Sequence, residues 1–175
     1  GHFCANRQAE AHGARDMHTQ KLLSRADLLS RRSEWKQQGQ ILVFTNGCFD
    51  VLHRGHIEYL QQARSLGDIL VVGLNSDASV RSIKGPDRPV VGEDDRAAIL
   101  CALQDVDFVS VFSEPSVETL VADLLPDILV KGGDYCLEEI VGRGIVEASG
   151  GRVATLCHVA GRSTTELTRH IPLSD

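Results

Sequence analysis

Five short apolar runs, each separated from the next by a segment of helical character, constrain the fold of this chain more than any other feature. The runs cover residues 41–44, 69–74, 108–112, 128–130 and 153–156. Runs of this length and composition are typical of strands that are buried on both faces of a parallel sheet. Their regular alternation with helices predicts an α/β fold with a five-stranded parallel sheet that helices cover on both faces.

The helices are predicted from apolar residues at helical spacing and from glycine or proline at their ends. They cover residues 56–66, 93–103, 117–125 and 144–148, after a longer amphipathic helix over 21–39. Right-handed crossovers place the loops that follow parallel strands at one edge of the sheet. Ligands of such sheets bind at that edge, where the strand order reverses, so a site is expected in these loops.

The composition is that of a soluble protein with a core of its own. Of the 175 residues, 42% are hydrophobic and 24% are charged, which suits one domain. We expect a disordered or tag-derived tail over 1–20, the helix over 21–39 and the main domain over 40–171. No run approaches the ~20 apolar residues that span a bilayer, and no signal peptide is evident. A cytoplasmic protein without a membrane partner is therefore predicted.

Charge and cysteine content argue against several other classes. The formal net charge of −6 is unlike that of a protein that coats nucleic acid, so no nucleic-acid partner is expected. The five cysteines are odd in number, scattered and without a Cys-x-x-Cys pair. Neither a disulfide framework nor a zinc site is indicated, and the protein itself is expected to hold no metal.

The segment from Thr45 to His56 carries the strongest chemical signal, because it joins the first strand to the next helix. His53 and His56 are three residues apart, with Gly55 removing bulk between them. At the start of a helix the two imidazoles would share one face of the first turn, where free amides already favour anions. They could then donate hydrogen bonds to a phosphorus centre as its negative charge grows. Two capping histidines, or half of a metal site, are the alternatives.

The segment from Ile83 to Pro89 is predicted as a loop, because it contains glycine and proline. Lys84 and Arg88 would reach a phosphate group from a mobile flap. Arginine offers a bidentate fork to such a group, and lysine offers a point charge. Ordinary surface charges on a solvated loop are the alternative.

Two further segments have the composition of nucleotide-binding loops. Lys131-Gly132-Gly133-Asp134-Tyr135 follows the fourth apolar run, and its glycines allow close approach of a planar base. The segment 161–165 precedes a helical stretch and would offer hydroxyls and free amides to the outer phosphates of a triphosphate. A plain turn and a simple helix cap are the alternatives. A Walker-type phosphate loop does not occur, nor does a Gly-x-Gly-x-x-Gly segment after the first strand.

Taken together and in this order, the motifs resemble the cytidylyltransferase-like superfamily, and within it the bacterial D-glycero-β-D-manno-heptose 1-phosphate adenylyltransferases. The resemblance covers about residues 22–171. It implies a Rossmann-like, doubly wound, five-stranded parallel sheet with a His-x-Gly-His site. It also implies transfer of AMP from Mg²⁺-bound ATP to a sugar phosphate in lipopolysaccharide core synthesis, by a homodimer.

The resemblance also implies a role for each residue of the predicted site. The catalytic residues would be His53, His56 and Lys84. The nucleotide would be bound by Thr45, Asn46, Gly55, Lys131, Gly132, Asp134, Tyr135, Ser163, Thr164 and Thr165. Weaker candidates, either for binding the acceptor or for orienting the site, are Asp50, Asn75, Asp77, Arg88 and Arg96.

Two positions depart from the family pattern, which carries asparagine where Val91 and Glu166 stand. Two other functions are therefore kept beside the first. One is a cytidylyltransferase acting on glycerol 3-phosphate or a related alcohol phosphate. The other is a catalytically idle member that binds a nucleotide and regulates a partner.

Overall fold

The structure, a computed structural model, describes residues 20–133 and 137–156, and all five predicted strands are present. The strands are β1 (Leu42–Gly47), β2 (Ile69–Asn75), β3 (Phe108–Phe112), β4 (Ile128–Gly132) and β5 (Arg152–Leu156). The helices are α1 (Arg25–Gln37), α2 (Arg54–Arg64), α3 (Asp77–Lys84), α4 (Glu93–Ala102), α5 (Glu118–Leu124) and α6 (Arg143–Ala148), with a 3₁₀ turn at Leu137–Glu139.

The strands form one parallel sheet in the order β3-β2-β1-β4-β5. The chain moves outward from β1 through β2 to β3 and then returns to the other side of β1 to form β4 and β5. The strand order therefore reverses between β1 and β4, and the doubly wound α/β fold predicted from the sequence is confirmed. The carboxyl ends of β1 and β4 meet at this reversal, which is where such sheets bind ligands.

Two layers of buried side chains hold the helices against the sheet. On one face, Leu60 of α2 and Leu100 of α4 pack against strand residues such as Leu70. On the other face, Leu28 of α1 and Leu120 of α5 pack in a second cluster. A leucine or valine that is fully removed from water stabilises the fold by about 1.5–3 kcal/mol, so these layers fix the strands that carry the site.

The N-terminal helix α1 is part of this core. The buried Arg32 guanidinium donates to both carboxylate oxygens of Asp127, at 3.0 and 3.1 Å. The same carboxylate accepts from the amide of Leu42, the first residue of β1, at 2.7 Å. Asp127 precedes β4, so one carboxylate joins α1, β1 and β4 at the amino edge of the sheet. Trp35 stacks on Phe108 of β3 with ring centroids 5.1 Å apart.

The predictions for two helices were wrong. α1 begins at Arg25 rather than near residue 21, because Leu23 donates its backbone amide to Val109 of β3. The sequence analysis also missed α3. Ser76 caps this helix through its side chain, and Gly85 ends it with a φ of +102°, a value that favours glycine. Lys84 is therefore the last residue of a helix and does not lie in a flexible flap.

Candidate active site

The two histidines lie at the start of α2, at the reversal point of the sheet. His53 is the N-cap residue, and its Nδ1 accepts from the amide of Gly55 at 3.1 Å. The Nδ1 of His56 accepts from the amide of His53 at 3.3 Å, and the ring centroids are 4.0 Å apart. The predicted arrangement on one face of the first turn is confirmed. Because each Nδ1 accepts a hydrogen bond, each neutral ring carries its proton on Nε2, which can donate to a phosphate.

The loop between β1 and α2 is built to hold these rings. A Cβ at Gly55 would lie 3.0 Å from the His53 ring, so glycine leaves the room that the imidazole occupies. Phe49 adopts a φ of 45°, a left-handed conformation that costs a residue with a side chain roughly 1–2 kcal/mol. In return its buried ring packs 5.6 Å from the His56 ring, centroid to centroid. The Phe49 ring thus supports the position of His56.

Across the reversal point, the end of β4 supplies a cation. Lys131 donates from Nζ to Oδ1 of Asn46, at the end of β1, over 3.0 Å. Burial lowers the pKa of the Lys131 ammonium, and the neighbouring Cys48 acts in the opposite direction. The structure therefore brings together two predicted nucleotide-binding residues from different strands. A positive charge at this edge suits a triphosphate.

The structure adds one residue that sequence reasoning missed. Tyr59 lies three residues after His56 on α2, and its hydroxyl is 2.6 Å from Thr45 Oγ1 and 3.3 Å from the carbonyl of Val130. Burial raises the pKa of Tyr59 to about 12, so the hydroxyl keeps its proton at neutral pH. The available signal was the spacing from His56, which places both side chains on one helical face.

Asp50 anchors the segment that precedes α4. Its side chain is 1% exposed, and its Oδ1 accepts from the amides of Val90 and Val91 at 2.8 and 3.0 Å. Its Oδ2 lies 2.5 Å from Nη2 of Arg88. The structure therefore brings together Asp50 and Arg88, which were both predicted for the acceptor region, and their side chains form an ion pair.

Of the two roles predicted for Arg96, the structure leaves that of orienting the site and not that of contacting the acceptor. Its side chain has no exposed surface, because α4 turns it into the protein. It donates to the backbone oxygens of Cys48, Asn75 and Val91 at 2.6–2.8 Å and to the Asp77 carboxylate at 2.7 Å. A guanidinium whose three nitrogens are all used in this way supports the loops of the site from within.

The remaining predicted residues are placed as follows. Asn75 is buried, and its amide donates to Ser79 Oγ at 2.9 Å. The Lys84 side chain is exposed at the end of α3. Five predicted residues lie outside the part of the chain that the structure describes: Asp134, Tyr135, Ser163, Thr164 and Thr165.

Two properties of the described residues bear on other classes of protein. Within residues 20–133 and 137–156, no three His, Cys, Asp or Glu side chains are grouped so that they could hold a metal ion. None of the helices in those same ranges is long and apolar enough to cross a membrane.

Comparison with known proteins adds independent findings. The sequence model of the cytidylyltransferase-like family matches residues 44–165. The chain is 56% identical over 136 residues to the "Bifunctional protein HldE" of Geobacter sulfurreducens, covering 78% of this chain and 28% of that protein. It is 51% identical over 164 residues to the protein of the same name from Syntrophotalea carbinolica, covering 94% and 33%. The chain thus spans about a third or less of these relatives.

Solved structures show the same architecture. A crystal structure named as a lipopolysaccharide core biosynthesis protein, from Thermoplasma volcanium, has a TM-score of 0.59 and 31% identity, covering 71% of this chain and all of that one. A pantoate-beta-alanine ligase from Francisella tularensis, solved with a bound ATP derivative, has a TM-score of 0.58 at 16% identity, covering 82% of this chain and 68% of that one. The second likeness concerns the fold alone.

Proposed function

Because the chain belongs to the cytidylyltransferase-like family, we propose that it transfers AMP from ATP to D-glycero-β-D-manno-heptose 1-phosphate and releases pyrophosphate. The observation that carries this proposal is the pair of imidazoles at the N-terminus of α2, 4.0 Å apart and facing the reversal point of the sheet. The choice of acceptor is supported by the identity to the HldE proteins and by the resemblance in the motifs. The product would serve lipopolysaccharide core synthesis.

The reaction is an in-line displacement at the α-phosphorus of ATP. A phosphate oxygen of the sugar phosphate forms the new P–O bond, and the bond to the bridging oxygen of the β-phosphate breaks. The electron pair of that bond leaves with pyrophosphate. The nucleophile is already an anion, so no general base is required, and catalysis comes from positioning and charge stabilisation.

His53 and His56 stabilise the transition state in this scheme. Each ring has its proton on Nε2, as argued above, and can donate to the oxygens of the α-phosphate as their charge grows. The N-terminal end of α2 adds a favourable field for anions, which is a general property of helix N-termini. Gly55 lies in the first turn of this helix, and its lack of a side chain would let a phosphate approach.

The other proposed contacts follow the family resemblance. Thr45, Asn46 and Lys131 lie on β1 and β4 and would hold the nucleotide phosphates. Lys84 would reach the reacting phosphates from the end of α3. Ser163, Thr164 and Thr165 would bind the outer phosphates, and Gly132, Asp134 and Tyr135 would lie by the base and ribose.

We further propose that Mg²⁺ enters the reaction bound to ATP. Mg²⁺ prefers oxygen ligands, keeps several waters and is commonly held through substrate phosphates. The imidazole, ammonium and amide groups at the site would bind the phosphates, so the ion would be held by phosphate oxygens and water. The nearby carboxylate of Asp50 is already paired with Arg88. When bound, the ion would neutralise charge on the departing pyrophosphate.

The experiment that tests the function is a panel of ATP and CTP against heptose 1-phosphate and glycerol 3-phosphate, with Mg²⁺. Pyrophosphate release gives the rate, and the mass of the product identifies both the base and the acceptor. ADP-heptose as the dominant product is expected. CDP-glycerol as the dominant product would replace the proposal by the cytidylyltransferase alternative. ATP binding without product from any acceptor would replace it by the regulatory alternative.

A homodimer in the cytoplasm is proposed as the working form. The location is supported by the substrate, because ATP is a cytoplasmic metabolite, and the dimer by the family resemblance. Light scattering on the purified protein measures the mass directly, and a value near 38 kDa, about twice the chain mass of 19.0 kDa, is expected. A mass of one chain at micromolar concentration would contradict the dimer.

A further inference from the structure

The two central strands separate at the point where the candidate site begins. Within the described strands, β1 pairs with β4 through Val43↔Ile128 and Phe44↔Leu129, and the ladder then ends. β1 nevertheless continues to Gly47 along β2, and β4 continues to Gly132 along β5. The facing sides of the two strand ends therefore carry backbone polar groups that the ladder does not satisfy.

The Tyr59 side chain fills the beginning of this gap. Its hydroxyl contacts Thr45 and Val130, the first residue beyond the ladder on each strand. The tyrosine donates to the Val130 carbonyl over 3.3 Å, and either hydroxyl can be the donor in the shorter bond to Thr45, over 2.6 Å. One side chain thus replaces the missing strand-to-strand bond with a longer bridge.

The ring of Tyr59 also supports the end of β4. A Cβ at Gly132 would lie 3.0–3.3 Å from three carbons of the ring, so the backbone of Gly132 rests against the ring face. Gly132 follows Lys131, whose ammonium reaches across the gap to Asn46. The ring and the hydroxyl of Tyr59 therefore fix the positions of the two strand ends relative to each other. Tyr59 is 7% exposed, so it supports these groups from beneath the site.

From this arrangement we propose that Tyr59 is a positioning residue for nucleotide binding: its hydroxyl spaces β1 and β4 so that Thr45, Asn46 and Lys131 meet the phosphates beside the imidazoles. The inference rests on the proposed function. Tyr59 is on the same helix as His56, one turn further along, so a single helix places the imidazoles and sets the gap beside them. Misplacement of a catalytic group by about 1 Å can cost on the order of 100-fold in rate.

The test is Tyr59→Phe, which removes the hydroxyl and keeps the ring beneath Gly132. We expect the Kd for ATP, measured by calorimetry, to rise about tenfold, with an equal rise in the KM for ATP, because a contact of about 1.4 kcal/mol corresponds to tenfold. The KM for the acceptor should stay unchanged. A residue that only stabilised the fold would lower the active fraction and the apparent kcat, and would leave both constants for ATP as they are.

Ser110→Ala is the matched control. Ser110 is a buried residue of β3, at the outer edge of the sheet and away from the reversal point, and the change also removes one hydroxyl. It should lose stability while keeping the wild-type Kd for ATP. Thr45→Val removes the same bridge from the strand, and because Thr45 is also a proposed nucleotide contact its effect is interpreted only together with Tyr59→Phe. The double variant should bind ATP no more weakly than the weaker single variant, because one bridge is lost in all three.

The outcomes separate this inference from the proposed function. A wild-type Kd and KM for ATP in folded Tyr59→Phe would overturn the role of Tyr59 and leave the reaction intact. Additive losses in the double variant would overturn it as well. ATP binding by the wild-type protein without any product would overturn the proposed reaction, whereas the calorimetric comparison would still decide the role of Tyr59.

Discussion

Replacing Asp50 by asparagine tests the buried ion pair beneath the site. The substitution keeps the shape of the side chain and removes its charge. The carboxylate is 1% exposed, accepts two backbone amides and pairs with Arg88 at 2.5 Å. An asparagine has a single oxygen acceptor. If that oxygen accepts from the amides of Val90 and Val91, the NH₂ group faces the guanidinium. If the side-chain amide is flipped, the two backbone amides lose their acceptor.

The expected loss follows from the burial of the two partners. Breaking a buried pair by removing one charge costs about 3–5 kcal/mol. The Arg88 side chain keeps 22% of its exposure, and water will screen part of the charge left behind, so the estimate falls to about 2–4 kcal/mol. For a protein of this size that corresponds to a decrease in Tm of roughly 5–15 °C.

Urea and thermal denaturation at neutral pH measure the loss. Asp68→Asn is the control, because Asp68 is an exposed carboxylate that also accepts one backbone amide, that of Ile41, at 2.7 Å. It should cost less than about 1 kcal/mol, as expected for an exposed hydrogen bond. Equal losses in the two variants would show that the buried charge contributes nothing beyond an ordinary hydrogen bond, and the reasoning about Asp50 would be wrong.

Three further experiments address the site and the packing around it. His56→Ala should lower kcat at least about 100-fold, the usual effect of losing a transition-state donor, while the far-ultraviolet circular dichroism is retained; a near-normal rate would remove His56 from the mechanism. The pKa of Tyr59 is raised from 10.0 to about 12, so the folded state holds a proton that the unfolded chain has released between these pH values. The stability that this proton contributes is complete below pH 10 and is lost as the pH rises towards 12. In denaturant titrations the wild-type protein should lose roughly 2–3 kcal/mol in this way, and Tyr59→Phe should not show that loss. A Cβ at Gly67 would lie 2.7–2.9 Å from Val43 and Ile41, so Gly67→Ala should cost about 1–3 kcal/mol. At Gly144 in α6 a Cβ meets nothing within 4 Å, and Gly144→Ala should stabilise by about 0.5–1 kcal/mol, so the opposite ranking in thermal melts would contradict the packing argument.

The sheet could be predicted from the sequence because a strand covered on both faces must be apolar throughout. The third strand, 108–112, was predicted with its observed bounds, and the others differ by one to three residues at an end. The helix α3 was missed although its start carries an ordinary signal, Ser76 as N-cap followed by Asp77. Its short length and the glycine and proline beyond Lys84 made the segment look like a loop.

The site could be predicted only where its geometry is local. The spacing of His53 and His56 fixes their relation within one helical turn, and the structure agrees. Arg96 differs, because its partners lie up to 48 residues away in sequence and no local pattern reveals them. A charged residue on a helix is usually solvated, whereas this one is fully buried. The role of Tyr59 also depends on how β1 and β4 pair, which follows from tertiary structure.

The hydrogen bonds of Asp127 with Arg32 and Leu42 have a consequence for how sequences of this fold can diverge. These bonds join β1 and β4 at the amino edge of the sheet, remote from the imidazoles. The pairing of the two strands is therefore fixed at one end, and the ligand is chosen at the other. Substitutions that adapt the ligand end to another nucleotide or acceptor leave the strand register untouched. Changes of specificity that spare the buried pair of Asp50 and Arg88 can therefore accumulate without shifting the pairing of β1 with β4.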